Sequence, residues 1–203
     1  MKQPSSASSF NSRARRLAPG FALGVAALIT ASPAQAAFHL WTIRELYSDA
    51  SGSLQFIELF CPANGQTVLG GQSITVTPTG GGAAHTFTLP SNVSSSLNRA
   101  FLLGTAGIQG AGGAAPDAVI PASFLFSGGG TITFFGTPNT VAYSALPTDG
   151  VLSRTVVGNL NAANSPQNFA GATGIVVVPE PGTLGLFAAG GLGLWCFLRR
   201  RAA

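Results

Sequence analysis

Residues 43–60 read IRELYSDASGSLQFIELF, and the fold turns on how they are read. Two runs rich in β-branched, aromatic and other apolar residues flank SDASGS. That cluster of Ser, Asp and Gly residues around Gly52 suits a turn and stops a helix. The stretch therefore predicts two strands joined by a turn. On strict alternation Glu45 shares a face with Ile43 and Tyr47, and Glu58 shares one with Phe56 and Phe60. A carboxylate among apolar neighbours needs hydrogen bonds or a partner, or its pKa must rise. If the two strands pair across the Gly52 turn, Glu45 and Glu58 meet, with Arg44 or a cation beside them. Two readings stand for this polar pair: a rim position wetted by solvent or paired with arginine, or a calcium-like oxygen site.

Outward from this hairpin the same signals repeat. FHLWTIRELY opens the series, and QSITVTP, HTFTLP, RAFLLG, SFLFS, TITFFG and TVAYSAL follow, separated by Gly, Pro, Asn and Ser clusters such as TPTGGGAA and GIQGAGGAAPD. Short strands at such spacing predict an all-β domain, an antiparallel sandwich or a partly open barrel. SGGGTITFFG reads as a further hairpin with the glycines at its turn. The domain is expected over residues 37–170, with 171–178 as a linker.

The charge of +4 over 203 residues suggests nucleic acid only until it is mapped. Lys2, Arg13, Arg15 and Arg16 lie near one end and Arg199, Arg200 and Arg201 at the other. Between them Arg44, Arg99 and Arg154 face Glu45, Asp49, Glu58, Asp117 and Asp149, three cations against five anions, leaving −2. That stretch has no footprint for phosphate, so nucleic acid is set aside as a partner. Charged residues are 8% of the chain, against about 25% in an ordinary soluble domain. Its lysine-free, Gly/Thr/Ser-rich middle suits contact with neutral polysaccharide or neighbouring proteins.

No cofactor or metal is called for. His39 and His85 carry no zinc spacing, and the glycine runs lack the lysine of a phosphate loop. Cys61, in LFCPANG, reads as a half-buried structural thiol at a strand end, without a nucleophile signature. Its partner in number, Cys196, sits in the apolar tail, so no disulfide framework is expected.

Both ends read as addresses. Lys2 and Arg13–Arg16 precede the apolar run Leu17–Ile29, and small residues at Ala34 and Ala36 follow, so residues 1–36 read as a signal peptide cut by signal peptidase before Ala37. Arg15-Arg16 hints at twin-arginine export, with ordinary secretion preferred. At the other end, Leu184–Leu198 is uncharged and, as a helix, spans about 22 Å at ~1.5 Å per residue, a short transmembrane helix over 184–198. Arg199, Arg200 and Arg201 would stay cytoplasmic. Pro179-Glu180-Pro181 precedes that helix and holds the backbone extended.

The run VPEPGTLGLFAAGGLGLWCFLRRR resembles a PEP-CTERM sorting signal over 179–203. The resemblance implies recognition at Pro179, Glu180 and Pro181 by a membrane-embedded exosortase, a transient stay in the inner membrane of a Gram-negative bacterium, and delivery to the cell surface or to an exopolysaccharide matrix associated with biofilm. The middle region is loosely similar to the lamin-tail domain, an immunoglobulin-like β-sandwich, through IRELYSDASGSLQFIELF, LGGQSITVT, HTFTLPSNVSSSLNRAFLLG and DGVLSRTVVGNLNAANSPQNFAG, although Gln72 stands where that family has a tryptophan. That likeness implies a non-catalytic binding or scaffolding module. Two alternatives remain: a secreted hydrolase using Glu45 and Glu58 as paired carboxylates, or an uncleaved periplasmic protein held by its tail.

Overall fold

The computed structural model describes residues 38–134 and 140–178. The signal-peptide reading of 1–36, the cleavage residues Ala34, Ala36 and Ala37, the sorting residues Pro179, Glu180 and Pro181, the apolar run 184–198 and Arg199, Arg200 and Arg201 all lie outside the described residues. Among those described, no helix is long and apolar enough to cross a membrane.

The opening stretch folds as read: β1 (Thr42–Ser48) and β2 (Gln55–Cys61) pair antiparallel across the Asp49–Leu54 turn. Gly52 sits there at φ +71, a conformation that costs a residue with a Cβ but not glycine. The chain continues through β3 (Ser73–Pro78), β4 (His85–Thr88), β5 (Arg99–Gly104), β6 (Ala118–Val119), β7 (Gly130–Phe134), β8 (Thr140–Tyr143), β9 (Leu152–Thr155) and β10 (Leu160–Ala163). A 3₁₀ turn, Val157–Asn159, joins the last two. These strands form a six-stranded sheet in the order β10-β9-β1-β2-β5-β6 and a four-stranded sheet in the order β4-β3-β7-β8. Every pair is antiparallel except β5–β6, which is parallel.

The two sheets close on one core. Ile43, Leu46, Ile57, Leu59, Phe101 and Leu103 from the larger sheet share a buried cluster with Ile74, Val76, Ile132 and Phe134 from the smaller. Period-2 alternation turns these side chains inward and their neighbours outward. Trp41 caps the cluster, fully buried, with its indole N–H on the Gln66 carbonyl at 2.7 Å and its ring edge-on to Phe101.

Several local readings need correction. Strict alternation fails at Arg44, where the register jumps from Ile43↔Leu59 to Glu45↔Glu58. The extra residue is a β-bulge, and it reverses the facing of everything before it. Ile43 therefore points into the core with Leu46, while Glu45 and Tyr47 point out. SFLFS (123–127) is not a strand. Its backbone is held by a side chain: the Gln55 amide donates to the Leu125 carbonyl and accepts from the Leu125 N–H, both at 2.9 Å. The glycines of SGGGTITFFG do not turn a hairpin between two strands, because the segment leading into them, 120–129, is not a strand. Instead Gly130 opens β7 where a Cβ would strike the Thr77 carbonyl and Tyr143. The strands β9 and β10 arise from the segment read only as a closing motif.

Nor is 171–178 a free linker. The chain leaves β10, crosses the outer face of the larger sheet, turns at Gly171 and runs back. Asn168 N–H donates to the Ala172 carbonyl at 3.0 Å while Ala172 N–H donates to the Asn168 side-chain Oδ1 at 2.9 Å, Ile175 N–H reaches the Gly112 carbonyl at 3.2 Å, and Val177 N–H reaches that of Ala111 at 3.0 Å. A Cβ on Gly174 would collide with the Gly112 backbone, so only glycine permits this crossing. Val176 is fully buried in a second, smaller cluster with Tyr47, Phe56, Leu102, Ile108 and Ala114. Residues 164–178 thus form a strap belonging to the domain.

Candidate functional site

Glu45 and Glu58 do meet, as directly opposed residues on the outer face of β1 and β2. Both are buried, Glu58 completely. What surrounds them is the returning chain together with Arg44, the arginine partner that the sequence offered. Ser165 donates its N–H to Glu45 Oε1 at 2.9 Å and its hydroxyl to Oε2 at 3.2 Å. Gln167 donates its N–H to Glu58 Oε2 at 2.8 Å. The other Glu58 oxygen forms an ion pair with the Arg44 guanidinium, which also lies 5.0 Å over the Phe60 ring. The bulge that breaks the register is what places Arg44 beside the carboxylate instead of within the ladder.

Asp117 completes the set. Its Oδ2 accepts from Phe169 N–H and from Leu102 N–H, each at 2.8 Å. The strap residues held are therefore 165, 167 and 169, alternate positions of an extended chain. Their N–H groups point down onto the sheet and find one carboxylate each, because successive backbone amides of an extended segment face opposite ways. Asn164 ties the ends of the strap together, taking the Val176 N–H at 2.6 Å and giving its amide to the Val151 and Val176 carbonyls. Sequence reasoning found Glu45 and Glu58 but missed Asp117 and Asn164. Nothing in the local pattern around either marks the distant chain each binds.

Burial dominates the electrostatics. It pushes the Glu58 carboxyl up to about 7, against the lowering effect of Gln167 N–H and Arg44, and the facing Glu45 charge adds to the rise. Burial likewise raises Asp117, opposed by its two backbone donors. Tyr47, stacked on Phe56 with centroids 5.2 Å apart, is pushed up to about 12, chiefly by burial and further by Asp49 and Asp149. Asp49 goes the other way: burial would raise it, but the Ser51, Leu54 and Ser53 hydrogen bonds together lower it.

The remaining candidates are structural in geometry. The Cys61 thiol is wholly buried and donates to the Ala63 carbonyl at 3.3 Å. His85 Nδ1 lies 3.0 Å from the Phe124 carbonyl, and the ring stacks on Phe126. Among the described residues no group of three or more His, Cys, Asp or Glu side chains is placed to hold a metal ion.

The smaller sheet presents a different surface. In register, Thr86 lies opposite Thr75, Thr75 opposite Thr133, and Thr133 opposite Thr140, with Ser73–Thr88 and Thr77–Thr131 alongside. These hydroxyls bond across the strands at 3.0–3.3 Å, in the pairs Ser73–Thr88, Thr75–Thr86 and Thr133–Thr140. No charged residue occurs in β3, β4, β7 or β8. The outer face of this sheet is a neutral lattice of hydroxyl groups, produced by the alternation of threonine with core residues in SITVTP, HTFT and GTITF.

Among comparisons with known proteins, residues 177–201 match the family model of the PEP-CTERM protein-sorting motif. Neither a curated protein nor a solved structure matches the chain. The chain carries a PEP-CTERM sorting motif, the signal of an exosortase-targeted exported protein, and that motif begins at Val177, inside the strap.

Proposed function

We propose that this protein is a non-catalytic β-sandwich module, immunoglobulin-like in form, that exosortase processing delivers to the cell surface or exopolysaccharide matrix, where it binds neutral polysaccharide. The observation that carries the binding role is the hydroxyl lattice of the smaller sheet. Sugars offer hydroxyl donors and acceptors, and an array of threonine hydroxyls, each able to donate and to accept, can exchange water for sugar with little desolvation cost. The absence of charge on those strands favours a neutral chain over an acidic one.

A raised carboxyl opposite a second carboxyl is also what a paired-carboxylate hydrolase uses. In this protein Ser165 and Gln167 lie over both groups and take their lone pairs, which argues against substrate access there.

The test is co-sedimentation of the processed protein with exopolysaccharide from its native host, alongside a Thr75→Glu/Thr133→Glu double variant. Binding is expected to weaken by about tenfold, from removed hydrogen bonds and added charge. Equal binding by the variant, or release of sugar fragments by the wild type, overturns the reading.

A further inference from the structure

We propose that the end of the domain from which the chain leaves is a docking surface for the sorting enzyme, and that the enzyme meets it with basic groups. The proposal rests on the sorting reading above and extends recognition from the linear motif to the folded domain.

Three observations lead there. The last residue of the strap, Val178, lines a cleft of about 320 Å³ whose other walls include Asp49, Ser51, Ser53, Thr148 and Asp149. Among the described residues no Lys, Arg or His contributes to it. Both carboxylates are held in place by their own turns: Asp49 by the Ser51 and Ser53 hydroxyls and Leu54 N–H, and Asp149 by Val151 and Leu152 N–H. The cleft therefore presents fixed negative charge at the point of exit.

The tether is short. Val177 is pinned through its N–H to Ala111, and Glu180 stands three residues on and Leu184 seven. At ~3.4 Å per residue the apolar run starts no more than about 24 Å from that pin, and Glu180 no more than about 10 Å. An enzyme that grips Pro179-Glu180-Pro181 at the membrane cannot avoid this end of the domain. The acidic cleft adds its charge to that of Glu180, and like charges do not draw the motif back onto its own domain. Complementarity then asks for a basic partner surface. An anionic lipid surface is disfavoured by the same charges.

The experiment is a pulse–chase of the full chain in its native host, following conversion to the processed form by intact mass. Thr148→Lys places a cation in the cleft at an exposed position, and Asp149→Asn removes charge while keeping an oxygen for the Val151 and Leu152 N–H groups. Ser94→Lys, in the exposed loop before β5 at the opposite strand ends, is the control. Thr148→Lys is expected to slow processing by about three- to tenfold, and Asp149→Asn to slow it less, while Ser94→Lys runs at the wild-type rate. Urea midpoints should stay unchanged in all three. If Glu180→Gln slows processing but Thr148→Lys and Asp149→Asn do not, the docking surface is refuted and the sorting reading stands. If neither Glu180→Gln nor deletion of residues 184–203 changes the product, the sorting reading itself is wrong. Faster processing of Thr148→Lys would mean an acidic partner, such as lipid headgroups, and would also overturn the proposal.

Discussion

Replacing Glu58 by glutamine should remove a pH dependence of stability that the wild-type protein carries. Glu58 is fully buried, and its carboxyl is held up at about 7 against an ordinary 4.5. The folded protein thus binds this proton more tightly than the unfolded chain does. The resulting stabilisation is fully present below pH 4.5 and is lost as pH rises through 7. At ~1.36 kcal/mol per pKa unit the displacement corresponds to about 3 kcal/mol, or about 2 kcal/mol after allowing for solvent near the sheet surface. Glutamine keeps an oxygen for the Gln167 N–H and never ionises. Urea unfolding of the detergent-solubilised full chain, followed through the buried Trp41, measures this directly. Wild type minus Glu58→Gln stability should fall by about 2 kcal/mol between pH 4 and pH 8. Asp117 and Asp49 titrate in both proteins and largely cancel. A difference that stays flat with pH, or one that rises in favour of the wild type above pH 7, would refute the argument. The second outcome would mean that the Arg44 ion pair outweighs the cost of burial.

Other consequences of the strap are as open to measurement. Val176→Ala removes two buried methyl groups from the smaller cluster and should cost about 2 kcal/mol of unfolding free energy, whereas Val177→Ala, on the exposed side, should cost little. Asn164→Ala strips partners from Val176 N–H and from two carbonyls and should cost about 2–4 kcal/mol, with faster amide exchange over 173–177 than in the wild type. Asp49→Ala removes a carboxylate whose lowered pKa stabilises the fold above about pH 4, a contribution lost as pH falls through the folded value. Its cost should therefore be larger at pH 7 than at pH 3, by urea midpoint.

Much of this protein was legible in order. The β-rich runs IRELY and LQFIELF, with Gly52 between them, specify the hairpin that brings Glu45 opposite Glu58, because strand preference and turn chemistry are local properties. The same holds for the threonine faces of β3, β4 and β7. The tail's Pro-Glu-Pro, apolar run and arginines are likewise a linear signal, matched as such over 177–201. SFLFS misled for an equally physical reason. Its composition suits a strand, but the Gln55 side chain takes the hydrogen bonds that a neighbouring strand would have supplied.

The use of the carboxylates was decided elsewhere. Composition and alternation place Glu45 and Glu58 on one face, and they leave open whether water, arginine or a cation lies over it. The answer came from residues 120 and 109 positions away, Ser165 and Gln167, whose amides descend onto the pair. A bulge of one residue at Arg44 decided which side chains turned outward, and no local preference announces it. Strand period and turn residues act between near neighbours, so a sequence displays them. A buried carboxylate is satisfied by whatever the closed fold brings over it, and that depends on how the whole chain returns.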